Sequence, residues 1–133
     1  MMVIHGGATL VNRHRILVVE GDPTMRGALG DLLDDEGHDV VTVSHGGEAL
    51  EQLAEHGADL IVLDIAMPER GAFKFREEQV ALGIGLDARV LVLAGETDTE
   101  GAAFSLHADG WMEKPTDVDA LMTTVNELLR KGD

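Results

Sequence analysis

The chain has 133 residues, no cysteine, 10 Lys and Arg against 25 Asp and Glu, and a formal net charge of −15. Its length suits one domain with a real core, and 44% apolar residues beside 26% charged ones describe a folded globule rather than a disordered chain. Lack of cysteine excludes disulfides and thiolate metal sites, the acidity argues against nucleic-acid partners, and no apolar run is long enough for a membrane span or shaped like a signal-peptide core. The expected location is therefore cytoplasmic, and the acidity suits cations, basic protein surfaces or plain solubility.

Residues 1–14 show no sustained period, and their Gly6-Gly7 pair predicts a flexible N-terminal leader. Residues 15–131 form the domain proper. Arg15–Glu20 reads as a first strand. Asp22-Pro23 then starts a helix, with Asp as N-cap and Pro at the first helical position. Its apolar face is Met25, Ala28, Leu29, Leu32 and Leu33, and Gly37 closes it. Val40–Val43 is a second strand, rich in β-branched residues. A second helix runs from about Gly47 to His56, with Ala49, Leu50, Leu53 and Ala54 inward.

The next stretch, Asp59-Leu-Ile-Val-Leu-Asp64-Ile-Ala-Met-Pro68, is aliphatic apart from its acids and is stopped by proline. It reads as a central strand buried on both faces, with Asp64 where the strand leaves the sheet. A third helix around Ala72–Leu82 is poorly patterned: Phe73, Val80 and Ala81 share one face, Phe75 and Leu82 another. Arg89–Ala94 is the fourth strand, and Thr97–His107 is only weakly helical. Asp109–Pro115 holds a short fifth strand. The last helix has the clearest stripe, Val118, Leu121, Met122, Val125, Leu128 and Leu129. The histidines His38, His45, His56 and His107 read as surface or helix-end residues. Met67, Met112 and Met122 read as core filler.

Strict βα alternation demands an α/β fold with a parallel sheet, helices on both faces and right-handed crossovers. Five strands at this length favour the flavodoxin-like order 2-1-3-4-5, whose carboxyl edge is where ligands gather. Glu20-Gly21-Asp22, Asp64, Ala94-Gly95 and Lys114-Pro115 all reach that edge. Two acids about 4 Å apart at an effective dielectric of ~20 repel by roughly 4 kcal/mol. A divalent cation, the Lys114 ammonium or a proton must neutralise them. A carboxylate so placed is suited to attack an incoming phosphoryl group.

These residues resemble the receiver domains of bacterial two-component response regulators. The likeness spans roughly residues 15–130 and rests on Ile-Leu-Val-Val-Glu20, Asp59 to Pro68, Ala108-Asp-Gly-Trp111 and Lys114-Pro115. It implies Asp64 as phospho-acceptor from a histidine kinase or phosphotransfer protein, with Lys114 as partner of its acyl phosphate. It also implies Mg²⁺ held by Glu20, Asp64 and the Ala66 backbone carbonyl. Trp111 would be the switch aromatic, on a signalling face formed by the fourth helix, fifth strand and fifth helix. A downstream protein would dock on that face, with a homodimer as a family-level alternative.

The chain departs from the family pattern at several positions. Gly21 replaces the acid that normally ligates Mg²⁺ directly, so the ion is expected to bind weakly or not at all. Asp22 could substitute, but Asp22-Pro23 also explains itself as a helix cap. Ala94 stands where the family has a switch Thr or Ser, and it cannot donate a hydrogen bond to a phosphoryl oxygen. The loop after Pro68 looks one residue short, and Ala66 cannot orient a hydrolytic water, so an acyl phosphate would persist. Two functions follow. One is a phospho-accepting receiver that is not otherwise an enzyme. The other is a phosphorylation-independent pseudo-receiver, a constitutive protein-binding module. No nucleophile–base pair or Gly-rich phosphate cradle supports a small flavodoxin-like enzyme.

Overall fold

The computed structural model describes residues 2–5, 9–95, 99–114 and 117–132. The body is a five-stranded parallel sheet of β3 (Arg15–Val19), β4 (Asp39–Val43), β5 (Leu60–Asp64), β6 (Arg89–Ala94) and β7 (Gly110–Glu113), in spatial order β4-β3-β5-β6-β7. Counting only these five, the order is the expected 2-1-3-4-5. Five helices connect or follow the strands: α1 (Pro23–Asp35), α2 (Gly46–His56), α3 (Gly71–Leu82), α4 (Thr99–Ser105) and α5 (Val118–Gly132).

Every residue of β5 is buried, as its unbroken aliphatic run requires of a strand covered on both faces. The alternation of side chains along the strands divides the core in two. Leu17, Val19, Ile61, Leu63, Val90 and Val92 face α2, α3 and α4, where Leu53, Phe75 and Leu106 meet them. Ile16, Val18, Leu60, Val62, Leu91 and Leu93 face α1 and α5, and pack on Leu29, Leu33, Leu121, Val125 and Leu128.

Local sequence explains the helix starts. Asp22 is extended at φ −75°, ψ 119°, its Oδ2 accepts the Met25 amide at 3.1 Å, and Pro23 follows at the first helical position. His45, read as a surface or helix-end residue, caps α2: its Nδ1 accepts the Glu48 amide at 3.4 Å.

Several elements and residues differ from the sequence reading. Within the expected flexible leader, β1 (Met2–His5) pairs antiparallel with β2 (Thr9–Asn12), Met2 opposite Asn12 and His5 opposite Thr9. Each half is too short for its period to be read from the chain. In α3 the inward face is Ala72, Phe75 and Gln79, while Val80 and Leu82 are exposed. The reason lies just upstream. The short 3₁₀ segment Pro68–Arg70 carries Glu69 and Arg70 in the left-handed region, both at φ 57°, and this sets the phase at which α3 starts. The helix turns a fully buried Gln79 inward, which donates to the Gly85 carbonyl at 3.1 Å and accepts from Arg76.

Val118, counted in the α5 stripe, is exposed, and Ala28 and Ala54 point outward from α1 and α2. Finally, His38 is buried, not on the surface. Its Nδ1 accepts the His14 amide at 3.3 Å, and the two rings lie 5.7 Å apart. Burial, and then His14 beside it, push the His38 imidazole below its ordinary pKa. Thr97, the expected start of the fourth helix, and Pro115, the proline after the fifth strand, lie outside the described residues.

Candidate functional site

β3, β5 and β7 deliver one residue each to the carboxyl edge. Glu20 follows β3, where its amide donates to the Val43 carbonyl at 3.1 Å. Asp64 is the last residue of β5 and pairs in register with Leu93 of β6. Lys114 follows β7, and its amide donates to the Ala94 carbonyl at 2.6 Å. Parallel register thus brings together side chains up to 94 positions apart in the chain.

The Lys114 ammonium lies between the two acids, 2.8 Å from Glu20 Oε1 and 3.0 Å from Asp64 Oδ1. Both carboxyls are buried, Glu20 at 1% exposure and Asp64 at 4%. Asp64 Oδ1 also accepts the Ala66 amide at 2.9 Å, and Glu20 Oε2 accepts the Asp22 amide at 3.2 Å. Lys114 is itself largely covered, so each charge has a partner and little water.

Protonation within the trio follows from that geometry. Burial, followed by the hydrogen bond with Asp64, pushes Glu20 above the usual carboxylate range, although Lys114 and the Asp22 amide pull the other way. Burial also opposes ionisation of Asp64, but hydrogen bonds from Glu20, the Ala66 amide and Lys114 outweigh it and hold this carboxyl below its ordinary value. Lys114 loses solvation yet is raised by the two carboxyls. The two acids titrate as a pair, with Asp64 carrying the charge and Glu20 the more readily protonated member.

Other predicted site residues take distinct positions. The Asp22 carboxylate is turned to the α1 amides. Ala66 is exposed two residues past the strand end. Ala94 is fully buried at the end of β6, and Trp111 is 48% exposed on the edge strand β7. Two contacts went unnoticed in the sequence. Arg26 donates to the carbonyls of Glu20 (3.0 Å) and Gly21 (3.3 Å), fixing the β3–α1 turn. Arg76 donates to the Leu106 carbonyl at 3.0 Å, tying α3 to the C-terminal end of α4. Nothing in local periodicity marks either arginine, because both act on backbone carbonyls.

Mg²⁺ takes hard oxygen donors and is commonly bound through one or two carboxylates plus phosphate oxygens. Glu20 and Asp64 meet that minimum. The set is thin, however: Gly21 brings no carboxylate, Asp22 is engaged at the cap, and among the described residues no cluster of three acids or histidines could enclose an ion. Glu20, Asp64 and the Ala66 carbonyl would hold a hard cation, weakly.

A doubly wound parallel sheet of this order, with an aspartate and a lysine meeting at its carboxyl edge, is a flavodoxin-like architecture. The response regulator receiver domain family matches residues 16–126, and the chain belongs to that family. Among similar curated proteins are the transcriptional regulatory protein CiaR of Streptococcus pneumoniae, 32% identical over 89% of this chain and 52% of its own length, and KdpE of Mycobacterium tuberculosis, 30% identical over 88% of this chain and 51% of its own. The chain thus spans about half the length of these relatives. In fold it is similar to a CheY-like response regulator receiver domain protein of Methanospirillum hungatei, with a TM-score of 0.80 over 91% of this chain and 97% of the other at 24% identity. A response regulator of Chloroflexus aurantiacus gives 0.78 over 90% and 99%, also at 24%. Receiver domains are generally non-enzymatic signalling modules that interact with histidine kinases and downstream effectors and generally bind Mg²⁺. Among the described residues no helix is long and apolar enough to cross a membrane.

Proposed function

We propose that this domain accepts a phosphoryl group on Asp64 from the phosphohistidine of a kinase or phosphotransfer protein, and signals by altered docking. The observation that carries the reading is the buried Asp64 carboxylate held 3.0 Å from Lys114 Nζ. An Asp64 oxygen attacks phosphorus, the phosphorus–nitrogen bond breaks with its electron pair going to the departing imidazole, and an acyl phosphate remains. Asp64 stays ionised at neutral pH, as a nucleophile must. Lys114, already poised between the carboxyls, follows the charge onto the phosphoryl oxygens. A bound Mg²⁺ would add positive charge to those oxygens.

Ala66 offers only a methyl group toward solvent, so no side chain at this position orients a water for hydrolysis and the acyl phosphate is long-lived. The docking face is the α4–β7–α5 edge, with Trp111 on it. Incubation with acetyl phosphate and Mg²⁺ tests the reading: a mass gain of one phosphoryl group is expected, lost in Asp64→Asn.

A second reading, the phosphorylation-independent pseudo-receiver, is favoured by two observations. Gly21 and the cap engagement of Asp22 thin out the cation site, and Ala94 removes the hydroxyl that would couple phosphate to Trp111. Absence of any adduct at high acetyl phosphate would establish that reading in place of the first.

A further inference from the structure

We propose that α3 is a strained lever: the left-handed pair Glu69 and Arg70 joins it to the Asp64 end of β5, and Arg76 passes its movement to the end of α4. The lever rests on the phospho-acceptor reading only for its trigger. It supplies a path out of the site that the buried, hydroxyl-free Ala94 does not offer.

Glu69 (φ 57°, ψ 34°) and Arg70 (φ 57°, ψ 38°) sit one after the other in the left-handed region, which is costly for any residue with a Cβ. Arg70 is also the residue that caps the start of α3. It makes no side-chain hydrogen bond there, and no acid follows in the first turn. One turn upstream the chain offers a better start. Met67 is extended, Pro68 suits a first helical position, and Glu69 would put its charge at the positive end of the helix. The helix thus begins at the poorer of two neighbouring places. Local preference overruled beside a reactive group is the mark of an element with two arrangements.

Packing holds the strained arrangement and ties it to the site. Met67 is buried, and a Cβ on Gly71 would meet the Met67 Cβ at 3.2 Å. On the other side, a Cβ on Gly46 of α2 would meet the Phe75 Cβ at 3.1 Å. Wedged between Met67 and α2, the helix follows a shift of Met67 rather than absorbing it. The residue before Met67 reads the site directly: the Ala66 amide donates to Asp64 Oδ1 at 2.9 Å, the oxygen that Lys114 also holds. A phosphoryl group on Asp64 offers both donors new acceptor oxygens, and the Ala66–Met67 backbone is re-laid around them. At the output end, Arg76 donates from Nε to the Leu106 carbonyl at 3.0 Å and from Nη2 to the His107 carbonyl at 3.5 Å. Its Nη1 donates to the buried Gln79 on its own helix. One rigid guanidinium therefore joins α3 to the turn that closes α4, where His107 is itself left-handed at φ 56°.

The test is a double-mutant cycle on the full chain, read by NMR amide shifts, with circular dichroism to show that each variant is folded. Arg70→Val releases the lever without phosphate, because a β-branched residue does not stay in the left-handed region. Glu69→Val is the parallel variant, since Arg70 also lies over the Phe73 ring, 4.8 Å from its centre. Each should shift the amides of Gly71–Leu82 and of Leu106, His107 and Ala108. In the Arg76→Ala background the effect on α3 should persist, while that on Leu106, His107 and Ala108 falls about threefold or more. Acetyl phosphate with Mg²⁺ should move the same two stretches, the mass of each sample reporting the adduct on Asp64. Glu69→Gly, for which the left-handed region costs nothing, should blunt that response. Shifts confined to the 68–71 segment, or effects at the end of α4 that ignore Arg76→Ala, would overturn the proposal. No adduct, with the cycle coupled through Arg76, would uphold the lever and remove the phospho-acceptor reading. An adduct with a strictly additive cycle would do the reverse.

Discussion

Replacing Lys114 by methionine keeps the length and apolar stem of the side chain but leaves Glu20 and Asp64 facing each other with no cation between them. The two oxygens that Lys114 bridges lie 2.8 and 3.0 Å from its nitrogen. Two full charges a few ångströms apart repel by about 4 kcal/mol at an effective dielectric of ~20. Removing one partner from a buried ion pair costs about 3–5 kcal/mol. Lys114 itself retains 23% exposure, so some water screens the trio, and a loss of about 2–3 kcal/mol at pH 8 is expected. That loss depends on pH with a definite sign. Without the lysine the folded-state carboxyls titrate above their unfolded value of about 4, so a proton taken up in the folded state relieves the repulsion as pH falls. The loss should shrink to about 1 kcal/mol at pH 5. Urea unfolding followed by Trp111 fluorescence and far-UV circular dichroism at both pH values reads the difference. Asp64→Asn in the Lys114→Met background should restore most of the stability at pH 8. A loss equal at both pH values, or no rescue by Asp64→Asn, refutes the charge argument.

Gly21→Asp should bind Mg²⁺ at least about tenfold more tightly than the native chain by calorimetric titration, because it adds a hard anionic donor. There is room for it, since a Cβ at position 21 would meet only Met67 Cγ at 3.9 Å. Asp22→Ala should cost about 1 kcal/mol of stability through the lost N-cap and leave the Mg²⁺ titration as it was, because its carboxylate serves the Met25 amide. His38 is held below its ordinary pKa, so its contribution is complete above about pH 6.5 and is lost as pH falls below that value, by at most ~1.4 kcal/mol per pH unit. Unfolding measured from pH 7.5 to 5 should show this slope in the native chain and a flatter one in His38→Asn. His14, Glu36 and Asp59 are the charged or titratable neighbours that modulate it.

Where a residue's role is decided by its immediate neighbours, the sequence alone carried it. Ile16–Val19, Leu60–Leu63 and Val90–Ala94 are buried strand segments because their runs are apolar at every position, and Asp22-Pro23 starts α1 by geometry internal to four residues. Strict alternation of such elements leaves few sheet orders open, so the carboxyl edge and Asp64 on it followed from the chain. What only the tertiary structure decided are the properties that depend on distant partners. The inward face of α3 was set by two left-handed residues before it and by the Gly85 carbonyl that Gln79 reaches. His38 became a buried acceptor because His14 crosses beside it, and Lys114 became the neutralising cation of Glu20 because β3 and β7 run parallel with their ends together. Periodicity records which side of an element is apolar. It says nothing about which polar group waits opposite, because that group arrives from another part of the chain.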